Sequence, residues 1–109
     1  MKKLVAAALL FVAVPAFADT RWERTHPRRD EVNDRLANQH ARVNAGVRDG
    51  QLTHGEARQV HREDRTIHAE ERAMAAEHGG HITAREQAQL NRQENHVSRQ
   101  IRRERQDGR

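Results

Sequence analysis

The chain has 109 residues, a third of them charged, with 20 Lys and Arg against 16 Asp and Glu and a formal net charge of +4. It contains no Cys and only 3% aromatic residues, which excludes disulfides, thiol catalysis, thiolate metal sites and a lipid-modified cysteine. Leu, Ile and Val number only eleven beyond residue 18, too few to enclose a catalytic pocket that excludes water.

Met1-Lys2-Lys3 is a short basic start, and Leu4 to Val14 is an apolar run of eleven residues, too short to span a bilayer as a mature helix. Ala16-Phe17-Ala18 follows Pro15 as an A-x-A cleavage signature. Residues 1–18 therefore read as a secretory signal peptide, which places the mature chain in the periplasm or outside the cell with no transmembrane segment. Cleavage removes Lys2 and Lys3, so 18 bases, all Arg, face 16 acids and the net charge falls to +2. Both Phe residues also go, leaving Trp22 as the only aromatic. Sparse large apolar residues with high net charge signal disorder, but here the net charge is low.

Residues 19–26 offer no core contact in their pattern and are expected to be disordered. Thr25-His26-Pro27 is a helix start, with Pro in the first turn. Val32, Leu36, Val43 and Val47 then recur at helical spacing, with Gln39 and His40 filling the interrupted middle of the stripe. A second helix is expected from Thr53, because Thr53-x-x-Glu56 is a capping box. Val60, Ile67 and Met74 follow at intervals of seven, with Asp64 and Glu71 at the positions between. Thr83-x-x-Glu86 repeats the box and opens a third helix, whose stripe is Leu90, Val97 and Ile101. Asp107-Gly108 ends it. No stretch alternates as a strand does.

A shift of 30 residues superposes 40–69 on 70–99. It pairs Arg42 with Arg72, Gly50 with Gly80, Thr53 with Thr83, Glu56 with Glu86 and Gln59 with Gln89. Leu52 pairs with Ile82, Val60 with Leu90 and Asp64 with Glu94. One unit of helix, Gly turn, apolar residue and capping box is thus used twice. The expected fold is all-α, a single domain over 27–109. Its three antiparallel helices form a helical hairpin repeat joined by Gly turns, with Gly50 and Gly80 as helix-stop residues.

Asp49-Gly50-x-Leu52-x-x-x-Glu56 resembles the second half of a calcium loop. With Gly50 at position 6, however, positions 1 and 3 are Ala45 and Val47, which offer no side-chain oxygen. The second copy offers Ala75 and Glu77 there, and Gly79 at position 5. Calcium binding is not expected; Glu56 and Glu86 serve as capping residues. The histidines are a separate matter. His61, Asp64 and His68 lie at i, i+3 and i+7 and offer nitrogen and oxygen ligands to Zn²⁺ or Cu²⁺. Seven residues span about 10 Å of helix, so one ion needs further ligands, for which His54 and His96 are candidates. His78 and His81 form another pair in the second turn. A solvated polar face is the competing reading of all of them.

Arg99, Arg102, Arg103, Arg105 and Arg109 crowd the C-terminus, but no aromatics interleave them for base stacking. Nucleic acid is not expected; anionic headgroups or a solvated helix end fit these arginines. Ser98 is the one hydroxyl beside acids and His, and it lacks any nucleophile motif. No enzyme activity is expected.

The run from Asn38 to the end, including "ARVNAGVRDGQLTHGEARQVHRED" and "HITAREQAQLNRQENHVSRQIRRERQDG", resembles a family of small exported proteins of Burkholderia-type bacteria. The resemblance, shared by the signal peptide, implies a monodomain helical fold and export to the periplasm, and carries no activity or site residues. Leu52-Thr53-x-x-Glu56 and Ile82-Thr83-x-x-Glu86 are more loosely similar to the paired L-T-x-x-Q motifs of periplasmic chaperone and metal-sensor proteins, with Glu in place of Gln. The expectation is a helical protein acting by binding an unknown protein, an anionic envelope component or itself, in interaction or envelope stress. The alternative is a Zn or Cu protein using helix-face histidines.

Overall fold

The computed structural model describes residues 20–107. The expected signal peptide at 1–18 lies outside the described residues, as do Asp19 and residues 108–109. Every regular element among the described residues is a helix: α1 (Arg21–Thr25), α2 (Pro27–Arg48), α3 (His54–Glu77) and α4 (Ala84–Asp107). The protein is all-α. None of these helices is long and apolar enough to cross a membrane.

The expectation of disorder before Pro27 is corrected by α1. Thr20 caps it: Glu23 N–H donates to Thr20 Oγ1 at 3.1 Å, and Thr20 N–H donates to Glu23 Oε1 at 2.7 Å. This third capping box was present in the sequence as Thr20-x-x-Glu23, but no apolar stripe follows it to draw attention. The turn is held from its side as well. The Trp22 ring stacks on His26 at 4.6 Å, His26 stacks on His81 at 4.4 Å, and the Arg29 guanidinium lies 5.3 Å from the Trp22 ring centre.

Helices α3 and α4 start at their boxes. Glu56 N–H donates to Thr53 Oγ1 (3.0 Å) while Thr53 N–H donates to Glu56 Oε1 (2.9 Å). Thr83 and Glu86 exchange the same pair at 3.1 and 2.8 Å. Each box satisfies two donors that a helix start leaves open.

The side-chain contacts give the helix directions. Arg29 meets Glu71, and His40 meets His61; one number rises as the other falls, so α2 and α3 run antiparallel. Gln87 donates to Glu31, Gln39 to the Glu94 carbonyl and Arg42 to Ser98, with numbers rising together, so α2 and α4 run parallel. The core between them holds Val32, Val43, Leu52, Ala57, Val60, Ile67, Ala75, Ile82, Leu90, Val97 and Ile101, with Leu36, Val47 and Met74 at its edge.

The two turns stop their helices in different registers. After α2, Gly50 has φ +76; Gly50 N–H donates to Val47 O at 3.1 Å and Gln51 N–H to Gly46 O at 2.8 Å, the Schellman arrangement. After α3, Gly80 N–H donates to Ala75 O at 2.8 Å, so the left-handed position after the His78 cap is Gly79 (φ +67). Gly80, the partner of Gly50 in the 30-residue shift, also has positive φ (+97) but stands one residue later.

Candidate functional site

The interior of the bundle carries acids where its stripes call for apolar side chains. Asp64, Glu71 and Glu94 are buried, with Gln39 and Gln100. Asp64 and Glu71 alternate with Val60 and Ile67 on α3, and Glu94 sits between Leu90 and Val97 on α4. A carboxylate moved out of water must be paired or neutralised, and the three acids differ in how this is done.

Glu71 is paired. Its Oε2 accepts from Arg29 Nε at 2.6 Å, and His68 Nε2 lies 3.7 Å from Oε1. Arg29 also donates to the Gly80 carbonyl at 2.9 Å, tying α2 to α3 and to the second turn. Glu94 is half paired. Arg35 stands 3.5 Å from Oε1, and the Asn91 amide, with its nitrogen toward the acids, donates to Glu94 Oε1 at 3.2 Å and Glu31 Oε1 at 3.3 Å. Oε2 has no hydrogen-bond partner. Burial pushes the Glu94 carboxyl up to about 8; Arg35 opposes the rise, and Glu31, Asp64 and Glu71 add to it. Asp64 is unpaired: it is 8% exposed, and neither carboxylate oxygen has a hydrogen-bond partner. Burial, and then the neighbouring Glu63, push it up to about 7.

Asp64 also lines a groove of about 500 Å³ between α2 and α3, together with His40, His61, His68, Arg65, Asn33, Leu36 and Ala37. The antiparallel register brings His40 across to His61, with ring centres 4.4 Å apart and planes tilted by 41°. The His61 imidazole is held below its ordinary pKa, first by desolvation and then by His40 and Arg65.

His61, Asp64 and His68 thus share one groove, but their ligand atoms do not converge. Among the described residues, three ligand atoms lie within 4.8 Å of one another at Glu77, His78 and Glu86 instead. The three-residue metal set read from α3 alone is corrected in that respect. Neither of its suggested helpers lines the groove. His54 opens α3, two helical turns before His61, and His96 lines a different groove with Ile67 and Val97 between α3 and α4. The side chain that comes across is His40, which sequence reasoning left unassigned. Its signal was the gap in the α2 stripe at Gln39 and His40: Gln39 turns inward to donate to the Glu94 carbonyl at 2.8 Å, and His40 faces the groove.

The second turn holds the Glu77, His78 and Glu86 group. His78 Nε2 lies 3.2 Å from Glu86 Oε2, while Glu86 Oε1 serves the capping box. The backbone N–H of Thr83 is the main cause that holds the Glu86 carboxyl below its ordinary range. Glu77 and His78 are exposed, so water competes for all three ligands. Compared with protein-family models, curated proteins and solved structures, the chain matches none.

Proposed function

We propose that the chain is an exported, non-enzymatic helical protein that works by binding, in interaction or envelope stress. Its helices present Arg, Glu and His to a partner protein, an anionic envelope component or a second copy. In this reading residues 1–18 direct export and are removed, and the 30-residue repeat supplies a hairpin unit whose Gly turns fix the spacing of its faces. The observation that carries the proposal is the polar interior. Asp64, with both oxygens unpartnered, and Glu94, with one, occupy core positions and weaken the bundle in isolation, so association has stability to contribute.

Hydrogen exchange combined with sedimentation tests this. The expected result is fast exchange across α2–α4 in the monomer, slowing as self-association or a partner sets in. Slowly exchanging amides along all three long helices in a strict monomer at micromolar concentration would sink the partner-stabilised reading. A second reading, binding of Zn²⁺ or Cu²⁺, is favoured by the approach of His40 to His61 across two helices.

A further inference from the structure

We propose that the groove between α2 and α3 is a site for one divalent transition ion, Zn²⁺ or Cu²⁺, held by His40 of α2 with His61 and Asp64 of α3. The proposal rests on the metal-binding reading and gives it a place and a ligand set.

Two observations carry it. The first is that two helices bring their histidines to one groove. His61, Asp64 and His68 share one face of α3, and the antiparallel register sets His40 opposite His61 with ring centres 4.4 Å apart. One helix alone cannot close a shell around an ion, because its own ligands are strung along the axis. The second is Asp64. It is more than nine-tenths buried, lines the groove, and has no partner for either oxygen. A dication supplies the missing counter-charge, whereas an anion would add to the penalty.

Two imidazoles and one carboxylate form a donor set suited to Zn²⁺ and Cu²⁺, with a remaining position for water or His68. The ligand atoms converge only after the rings turn. His40 is exposed and His61 half-buried, so both can change rotamer without opening the core. Arg65, on the same wall, repels a cation and sets the affinity below that of a dedicated structural site.

The test is calorimetric titration of the full chain with Zn²⁺ and with Cu²⁺. Imidazole nitrogen NMR with Zn²⁺ identifies the ligands. The expected outcome is one ion per chain, with shifted ring resonances of His40 and His61. His40→Ala and His61→Ala should each weaken binding by about tenfold or more, and Arg65→Gln should tighten it. Asp64→Asn separates a ligand from a structural role: it should weaken binding while raising the melting temperature of the ion-free chain. His78→Ala should leave the affinity unchanged. Binding abolished by His78→Ala and indifferent to His61→Ala would overturn this site in favour of the Glu77, His78 and Glu86 group, with the metal reading intact. No heat and no shift at millimolar ion would overturn both.

Discussion

The two ends of the bundle begin from the same sequence device and are held by different forces. At the first turn, Leu52 folds back so closely on Gly46 that a Cβ there would meet Leu52 Cδ1 at 2.7 Å. Leu52 joins Val43, Val60 and Ile101 in the buried apolar core. At the second turn Ile82 is buried in the same role, but the turn is fastened by charge and rings. Arg28 donates to the Ile82 carbonyl at 3.3 Å, Arg29 bridges Glu71 and Gly80, and Trp22, His26 and His81 form a stack. A capping box starts a helix equally well at either end; what fixes the turn to the rest of the molecule is decided elsewhere in the chain. Both turns borrow from an arginine some fifty positions away, for Arg105 donates to Gln51 Oε1 at 2.6 Å and stands 4.0 Å from Asp49 at the first turn; the first adds an apolar seat for Leu52, the second a buried ion pair and a ring stack.

Arg29→Ala tests that borrowing most severely. It leaves Glu71, 0% exposed, without its guanidinium, and removal of one partner from a buried pair costs about 3–5 kcal/mol. The expected loss shows as a lower urea midpoint. Hydrogen exchange should accelerate first at Gly80 and His81 and later at Gln51 and Leu52. Equal acceleration at both turns would dissolve the distinction between the ends.

Rising pH should loosen the middle of the bundle through Asp64 and Glu94, whose carboxyls are incompletely partnered. Asp64 rises from 3.8 to about 7 and Glu94 from 4.5 to about 8 on folding. The folded state therefore binds more protons than the unfolded chain between roughly pH 4 and 8. Stability from these two groups is fully present below about pH 4 and is lost as pH rises through 7 and 8. A melting temperature that falls between pH 6 and 8.5 is the expected trace. Asp64→Asn, which removes the charge and keeps the shape, should flatten it and gain about 1–3 kcal/mol at the alkaline end, the usual cost of an unsatisfied buried group. A wild-type chain whose stability rises over this range would show that the interior acids are solvated or paired in solution.

Gly46→Val strikes the other end. The new side chain displaces Leu52 from its seat, and overpacking of this kind costs about 1–3 kcal/mol. Exchange at Gln51 and Leu52 should respond while the stack at Trp22 keeps its fluorescence. Loss of the Trp22 signal in step with the first turn would mean the two ends unfold as one unit.

The difference between the ends also marks how far the sequence could be read. The helices were legible because Thr53-x-x-Glu56 and Thr83-x-x-Glu86 are local signals, complete within four residues, and because Val60, Ile67, Leu90, Val97 and Ile101 keep helical spacing. The Leu52 contact was foreseeable, since an apolar residue just past a helix stop has few places to go. Neither Arg29 nor His40 could be assigned. Arg29 looks like any first-turn base until Glu71 arrives from the next helix, and His40 fills a gap in a stripe until the α2–α3 register sets it against His61. Asp64 and Glu71 are visible at stripe positions, and Asp64 reads there as a metal ligand beside His61 and His68; that both are buried is a property of three helices together. The repeat overreached by one residue at the second turn, where the extra glycine lets α3 stop at Gly79 and leaves Gly80 to accept Arg29 at its carbonyl.

The smallest expected effect concerns the segment that the sequence pattern left without a role. Trp22 is 40% exposed and contributes nothing to the core, so Trp22→Ala should cost little. Its share in the second end is the stack on His26 and the Arg29 guanidinium at 5.3 Å. An exposed cation–π contact is worth about 0.5–1 kcal/mol, and the loss should stay near that figure. The location of the loss carries more information than its size. Arg29 is shared between Trp22, Glu71 and the Gly80 carbonyl, so releasing one partner frees the guanidinium to move against the other two. Exchange should therefore quicken at Gly80 and His81, on the far side of the stack, and stay unchanged at Gln51 and Leu52. If instead only residues 20–26 respond, α1 is a passenger on the bundle and the second turn is held by Arg29 and Glu71 alone.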